Sequence, residues 1–453
     1  MYRLKIFFRN HPKIVALIIG VIFVLGNLII ANNTRKDNKR YVFWSDAGYY
    51  YSYLPALFIS HNLLENNFES TNGKATLISK YTSGVAILQT PFFLIALAVS
   101  KINDPYTNGL SETFEFLITM GTLFYCFLGL LMLYKVLTRY VKPRNSIITL
   151  IAIYFATNLE YYCVGESGMA HAYSFFTMSW FIYSLFKHLD KPTYKNSISM
   201  GLAFGLSVLI RPTNAIIILL PLFIKLYKAS EIKNRLKYIF QQKIFYTLIF
   251  VVFSFIAILP QLLYWKSITG SYIFYSYQGE SFTNWTNPKM VEILFGSVSG
   301  LFVYSAVLLF IIPGLIILWN KRKKVEAIGI ILIFVLITYT NASWWIPTFD
   351  CSFGHRAFIE FYPLLTIPIA LFVEWAFQKR RAILFSVLFG LLIFINVRMT
   401  ALYKVNPCWI SEKGSNKSWA WNNIVNVLRS VFYIDDKPSY NFHHAGTKEK
   451  PNN

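Results

Sequence analysis

The chain has 453 residues, of which 55% are hydrophobic and only 14% are charged. A soluble domain carries roughly a quarter charged residues, so this composition excludes an ordinary soluble protein. The formal net charge of +22 would suit a nucleic-acid binder. However, the Lys and Arg residues cluster in short loops between apolar runs, which is typical of membrane proteins that follow the positive-inside rule.

Apolar runs near membrane-spanning length recur along almost the whole sequence and predict an all-α polytopic membrane protein. The first run, 14–31, follows a basic start and lacks a small-residue cleavage pattern. We therefore predict a retained transmembrane helix with a cytoplasmic N-terminus. The eleven predicted spans are 13–31, 114–134, 146–158, 172–187, 198–211, 213–227, 244–264, 300–319, 325–341, 358–377 and 382–401.

The run 84–100 is left out of this count because of charge. It is short and contains Pro91. If it crossed the membrane, the basic loop with Lys135 and Arg139, and every later basic loop, would face outward, against the positive-inside rule. We therefore predict that this run lies on the outer surface or re-enters. The first extracytoplasmic loop then extends over 32–113.

These boundaries divide the chain into a transmembrane domain, 1–401, and a short extracytoplasmic tail, 402–453. The tail contains "WAWNNIVNVLRSVF", which predicts a helix lying on the outer interface. The stretch "GLAFG", 201–205, is a small-xxx-small pattern that favours a helix-packing face. Three cysteines lie in or near connecting segments, namely Cys163, Cys351 and Cys408, and the sequence does not determine whether two of them form a disulfide.

No predicted span has an ionisable residue near its centre, which disfavours a proton-relay transporter. The sequence also shows no G-x-G-x-x-G after a strand and no P-loop, so nothing indicates a cytoplasmic nucleotide domain. The unusual polar residues instead converge on the outer face. The candidate site residues are Asp46, Tyr50, Lys80, Glu166, His171, Arg211, Glu280, His355, Arg356 and Glu360.

Several of these residues have an ordinary structural alternative. Tyr side chains anchor membrane interfaces, and His171 starts a predicted helix. Arg356 and Glu360 are four residues apart and could form a structural ion pair on one helix face. Asp46 differs because it stands between an aromatic pair and an aromatic helix. An unpaired carboxylate is costly there unless it has a function or a partner.

A carboxylate, several cations and many aromatic rings at the outer leaflet suit a sugar attached to an anionic lipid. The cations would hold a phosphate and stabilise it as a leaving group. Asp46 would accept the proton of an acceptor hydroxyl as that oxygen attacks the anomeric carbon, in a single displacement that inverts the configuration. Asp46, Glu166 and His171 could hold a metal if they meet, but we predict no metal and no other cofactor.

These segments resemble the GT-C superfamily of membrane glycosyltransferases, in particular bacterial family-39-like transferases of the dolichyl- or polyprenyl-phosphate-mannose type. "SDAGYYYSYLPALF" is similar to their first-loop motif, and "SKYTSGVAILQTPFFLIAL" to the segment that leads into a juxtamembrane helix. "GLAFGLSVLIRPTNAIIILLPL" resembles the stretch in which a cation closes a span at the outer face. The later segments "GESFTNWTNPKMVEILFGSVSGLFVYS" and "SFGHRAFIEFYPLL" extend the likeness to roughly residues 10–400.

The resemblance implies a GT-C bundle of about eleven helices with juxtamembrane helices in the first loop. It places Asp46 as the catalytic base and favours Lys80 and Arg211 at the donor phosphate, where we also expect Arg356 and His355. The residues expected to contact the sugar or the acceptor are Tyr50, Glu166, His171, Glu280 and Glu360.

The sequence departs from the family pattern at three points. Asp46 is followed by Ala47, where protein O-mannosyltransferases have a second acid. Thr82 and Ser83 replace two prolines of the family's "K-Y-P-P-G"-type segment. The large soluble domain of oligosaccharyltransferases is missing, which favours a monosaccharide donor over a large oligosaccharide.

The expected function is transfer of one sugar from a polyprenyl-phosphate donor to a glycan, lipid or protein acceptor outside the cytoplasmic membrane. One alternative is a flippase that moves lipid-linked sugars without transfer chemistry. Another is a non-catalytic subunit of an envelope-polysaccharide assembly. Apart from the donor and the acceptor, we expect the protein to contact membrane lipids, and we expect no nucleic-acid partner.

Overall fold

The computed structural model describes residues 20–21, 23–28, 42–63, 79–277, 279–349, 352–378 and 381–405, and all regular secondary structure in these ranges is helical. The α-helices are α1 (Ser45–Tyr51), α2 (Tyr53–Phe58), α3 (Gly84–Asn103), α4 (Glu112–Leu137), α5 (Pro143–Phe155), α6 (Leu159–Val164), α7 (Ala170–Asp190), α8 (Tyr194–Ile210), α9 (Glu231–Lys237), α10 (Ile244–Thr269), α11 (Met290–Phe295), α12 (Leu301–Tyr304), α13 (Ile311–Asn320), α14 (Lys324–Ala342), α15 (Tyr362–Ala376) and α16 (Arg381–Val405).

Four segments have other helical geometry. Three are 3₁₀-helices, and a single π-helical stretch joins α9 to α10. Their bounds are Pro212–Leu222, Ala306–Phe310 and Arg356–Phe361 for the 3₁₀-helices and Tyr238–Gln242 for the π-helical stretch.

Helix α7 lies at the centre of the bundle, packed against α4, α8, α15 and the 3₁₀-helix that precedes α15. Because protein rather than lipid surrounds it, it can carry hydroxyl groups that find partners on its neighbours. Ser207 donates to Thr177 at 2.9 Å, and the Asn214 amide donates to Ser174 at 3.1 Å. These bonds fix the end of α8 and the following 3₁₀-helix against α7.

Helices α8 and α10 pack closely through the "GLAFG" stretch. A Cβ atom on Gly201 would lie 2.5 Å from the Phe250 carbonyl oxygen, and one on Gly205 would overlap the Ser254 carbonyl. The two helix backbones therefore touch at positions where only glycine fits. The predicted packing face is confirmed.

One end of the bundle carries a network of charged side chains. Asp190, at the end of α7, forms ion pairs with Arg139 and Lys225. Glu326, buried at the start of α14, accepts hydrogen bonds from the Tyr140 hydroxyl and, at 3.1 Å, from the Lys225 backbone. This basic end gathers loops that the sequence analysis assigned to the cytoplasm.

Six of the described helical segments are long and apolar enough to cross a membrane, which agrees with a polytopic membrane protein but does not confirm eleven spans. They are Gly84–Ile102, Glu112–Leu137, Ile244–Thr269, Lys324–Ala342, Arg356–Ala376 and Arg381–Ala401.

Some predicted spans are shorter or broken in the structure. The predicted span 300–319 is divided by Ser305, which leaves helical geometry with φ −136° and ψ 58°. The predicted span 213–227 contains a 3₁₀-helix that ends at Leu222. The first predicted span is described only in part, and the predicted interfacial helix of the tail lies outside the described residues. Apolar length alone did not show these interruptions.

The run 84–100 forms the continuous helix α3, which begins at Gly84 and ends at Asn103. Its Phe93 ring packs 5.1 Å from Phe114, and its Phe92 ring 5.8 Å from Phe124, so α3 lies along the first half of α4. Length and composition would let α3 cross a membrane. Its place on the outer surface stays a prediction.

Candidate active site

A cavity of about 360 Å³ opens at the end of α7 opposite the basic end. Segments far apart in sequence form its wall, including the start of α1, the loop before α3, the loop before α7, the end of α8, the segment between α10 and α11 and the loop after α14. The predicted site residues that line it are Asp46, Tyr50, Lys80, Glu166, His171, Arg211, Glu280 and Arg356.

Asp46 lies in the first turn of α1 and faces Arg356. The Arg356 Nη2 atom donates to Asp46 Oδ2 at 3.1 Å, and each side chain keeps part of its surface open to the cavity. The preceding Ser45 has φ +52°, a left-handed conformation that costs energy for a residue with a Cβ atom. This local strain sets the direction in which α1 starts and thus where Asp46 enters the cavity.

Arg211 and Glu360 form a second, more buried pair. Arg211 ends α8 just before Pro212, and its Nη1 atom donates to Glu360 Oε1 at 3.1 Å. The same oxygen lies 3.0 Å from His171 Nδ1. Glu360 is almost completely buried behind the cavity wall. Its role is therefore to hold Arg211 and His171 in place.

Arg356 and Glu360 do not pair with each other, so the alternative of a structural ion pair between them is wrong. They lie on a 3₁₀-helix, Arg356–Phe361. With three residues per turn, side chains four apart point in different directions. Arg356 reaches Asp46, and Glu360 reaches Arg211.

Lys80 and Glu280 form a third pair at the cavity mouth, with 2.5 Å between Nζ and Oε1. Both side chains are about a quarter exposed, at 26% and 29%. Lys80 also lies over the Tyr277 ring at 5.6 Å, and its carbonyl accepts a hydrogen bond from Ser276. Three contacts therefore join the loop before α3 to the segment between α10 and α11.

Glu166 is a buried carboxyl group in the loop between α6 and α7. Burial raises its pKa to about 7, although the nearby Arg356 guanidinium opposes this shift. The Tyr161 hydroxyl donates to Glu166 Oε1 at 3.0 Å. The cavity therefore contains a second carboxyl group beside the Asp46–Arg356 pair. This group, Glu166, changes charge near neutral pH.

Tyr50 stacks on Tyr81, with 4.4 Å between ring centroids, and both rings line the cavity. The neighbouring Tyr51 and Tyr53 point elsewhere and donate to the carbonyls of Gly109 and Tyr81. The Tyr50, Tyr51 and Tyr53 side chains are buried in protein, so interface anchoring does not explain their positions.

His355 does not line the cavity. Its Nε2 atom lies 3.0 Å from the Pro347 carbonyl, and its ring packs between Phe349 and Phe358. Burial lowers its pKa to about 3, so the ring is neutral at physiological pH. The contacts of His355 stabilise the loop between α14 and α15 rather than reach the cavity.

The wall also contains residues that the sequence analysis did not single out. The Phe349 ring lies near both guanidinium groups, 5.8 Å from Arg211 and 5.6 Å from Arg356. Three further aromatic residues and a buried amide line the cavity beyond it, namely Phe282, Trp344, Trp345 and Asn341. The doubled Trp of "WWIPTFDC" was a visible signal, but Asn341 had none.

Within the part of the chain that the structure describes, no three His, Cys, Asp or Glu residues are grouped to hold a metal ion. Asp46, Glu166 and His171 all line the cavity, but Asp46 contacts a guanidinium and His171 a carboxylate. Cys351 and Cys408 lie outside the described residues, so the disulfide stays open.

No protein-family model and no curated protein matches the chain. Among solved structures, the fold matches the archaeal oligosaccharyltransferase AglB from Archaeoglobus fulgidus, determined in complex with an inhibitory peptide and a dolichol-phosphate. The TM-score is 0.53 at 14% sequence identity, and the match covers 91% of this chain but only 57% of AglB. The chain thus shares the fold of AglB, in agreement with the fold that the resemblance implied, and spans little more than half of that protein's length.

Proposed function

We propose that this protein is a membrane glycosyltransferase that moves a single sugar from a polyprenyl-phosphate donor to an acceptor outside the cytoplasmic membrane. The observation that carries the proposal is the meeting of Asp46 with Lys80, Arg211 and Arg356 in one cavity of a GT-C fold. The cavity volume of about 360 Å³ lies within the range of ligand pockets, roughly 300–1,000 Å³.

The two ends of α7 support the proposed orientation. From His171 at the cavity to Asp190 at the basic end, this helix rises about 28 Å. The hydrocarbon core of a bilayer is about 30 Å thick. With the basic end in the cytoplasm, as the positive-inside rule favours, the cavity lies at the outer boundary of the membrane. A lipid-linked donor and an extracytoplasmic acceptor meet at this level.

In the proposed reaction, the acceptor hydroxyl oxygen attacks the anomeric carbon and the bond from that carbon to the phosphate oxygen breaks. The electron pair leaves with the phosphate, where Arg211 and Lys80 stabilise the developing charge. The acceptor proton passes to the Asp46 carboxylate as general base. One displacement inverts the configuration at the anomeric carbon.

The other candidates support these steps. Arg356 orients Asp46 through the 3.1 Å hydrogen bond and adds positive charge beside the phosphate. Glu360 holds Arg211 and His171. Tyr50, Glu166 and Glu280 face the sugar or acceptor hydroxyls. His355 positions the loop that carries Phe349, since its ring packs inside the protein.

Purified protein in vesicles, supplied with a panel of polyprenyl-phosphate sugars and an envelope extract, separates the proposal from its alternatives. We expect free polyprenyl phosphate and a glycosylated product, both followed by mass spectrometry. Movement of the intact donor between leaflets with no released lipid phosphate would instead establish a flippase. If the protein binds the donor but neither moves it between leaflets nor releases lipid phosphate, a non-catalytic subunit is favoured.

A further inference from the structure

The cavity has two chemically different halves. The charged half, defined by Asp46, Lys80, Glu166, Arg211 and Arg356, contains the cations and carboxylates described above. The aromatic half is formed where the end of α14 meets the segment before α11, and none of its members carries a charge. We define it by Phe282, Asn341, Trp344, Trp345 and Ile346.

The aromatic half is a built structure rather than a chance group of rings. The Asn284 backbone donates to the Ser343 carbonyl at 3.0 Å, and its side-chain amide donates to the Trp344 carbonyl at 2.7 Å. The Trp345 backbone donates to the Ser281 carbonyl at 3.1 Å. These bonds fix the loop after α14 against the segment between α10 and α11.

Asn341 supplies an unused polar group within this apolar wall. The residue lines the cavity and is only 3% exposed, and its amide nitrogen has no hydrogen-bond partner among the described residues. An unpaired buried amide costs free energy, and a ligand oxygen that accepts a hydrogen bond from it would remove that cost. Such a ligand carries acceptor oxygens.

We propose that the aromatic half is the acceptor subsite and that the acceptor is a glycan, bound as an uncharged sugar ring. A sugar ring offers hydroxyl oxygens to Asn341 and C–H faces to Trp344 and Phe282, and it needs no counter-charge. The subsite deepens the proposed function and rests on it. Lipid headgroups and acidic peptides fit less well, because the charged half of the cavity has the only cations that line it among the described residues.

The path to the subsite also favours the acceptor over the donor. Trp345 is 44% exposed, and Trp285, whose ring centroid lies 5.4 Å from that of Phe282, is 46% exposed. The aromatic surface therefore continues from the cavity to the outside, where an extended acceptor arrives. The donor sugar is bonded to its phosphate and stays within reach of the charged half.

Saturation-transfer NMR on the full chain in nanodiscs tests this without turnover. The probes are the methyl glycosides of mannose, glucose, galactose and N-acetylglucosamine, neutral disaccharides, and a Thr-containing hexapeptide. We expect at least one saccharide to bind. Asn341→Leu should weaken it by roughly two- to tenfold, as expected for lost neutral hydrogen bonds. Trp345→Ala, at an exposed position, should weaken it too, whereas Trp319→Ala, at the basic end, should not.

Three results would overturn the proposal. The first is equal saccharide binding by the Asn341, Trp345 and Trp319 variants. The second is binding of the hexapeptide alone, which would make the acceptor a protein. The third is displacement of the saccharide by any polyprenyl-phosphate sugar, which would assign the subsite to the donor. The binding test needs no sugar transfer. The acceptor subsite can therefore be refuted even if the protein cleaves the donor, and it can be supported even if donor cleavage is not observed.

Discussion

At the scale of single residues, each cavity cation already holds a carboxylate. Arg356 pairs with Asp46, Arg211 with Glu360, and Lys80 with Glu280. An anionic donor must therefore compete with protein carboxylates for at least one cation. Lys80 is the one that can exchange partners, because both members of its pair are partly exposed and lie in connecting segments.

Replacing Glu280 tests this exchange. We expect Glu280→Gln to bind a polyprenyl-phosphate donor up to about fivefold more tightly than wild type, since an exposed ion pair is worth at most about 1 kcal/mol. Lys80→Met should bind the donor more weakly. Donor affinity is measured by titration into detergent-solubilised protein at several salt concentrations. Weaker donor binding by Glu280→Gln would show that a contact of Glu280 with the donor sugar outweighs its competition for Lys80.

Glu166 gives the cavity a pH dependence. Its pKa of about 7 means that the carboxyl group is largely neutral below pH 7 and charged above it. The added negative charge opposes an anionic phosphate. We therefore expect the donor affinity of the wild type to fall as pH rises through 7, and that of Glu166→Gln to show no such fall. The same fall in both proteins would rule out Glu166 as its source.

At the scale of helices, the packing of α8 on α10 positions Arg211. Arg211 follows the last turn of α8, and the glycines of that helix lie against the backbone of α10. A side chain at Gly205 would separate the two helices and shift the end of α8. The position of Arg211 in the cavity thus depends on the close contact that Gly205 makes earlier in α8.

Two matched glycine substitutions test this contact. Gly205→Ala places a Cβ atom against the Ser254 carbonyl, whereas Gly390→Ala on α16 meets nothing within 4 Å. Overpacking typically costs about 1–3 kcal/mol, so we expect Gly205→Ala to lower the Tm of the solubilised protein. Gly390→Ala should leave the Tm unchanged or raise it, because alanine favours a helix. Equal Tm values for the two variants would contradict the close packing.

At the scale of the whole molecule, the sequence predicted which residues meet better than it predicted the helices that carry them. Charge asymmetry placed Asp46, Lys80, Arg211 and Arg356 on one face, and all four line one cavity. It could not predict partners, because pairing depends on side-chain direction. The 3₁₀ geometry after His355 separated a pair that α-helical spacing would have joined.

The missed features have a common cause. Asn341 looked like the end of an apolar span, and only the fold brings Phe282 beside it. Ser305 breaks a run whose hydropathy is continuous. Such properties arise from contacts between distant segments, which periodicity within one segment does not encode.

Asp46 is the proposed base of the sugar transfer, and the rate at which free polyprenyl phosphate is released measures this role. Wild type is compared with Asp46→Asn and with the control Asp190→Asn, which alters a carboxylate at the basic end that also holds two cations. General base catalysis contributes about 10²–10⁴-fold. We predict that Asp46→Asn binds donor but loses at least about 100-fold in release, while Asp190→Asn keeps near-normal turnover. Equal turnover by the two variants would show that Asp46 is not the base.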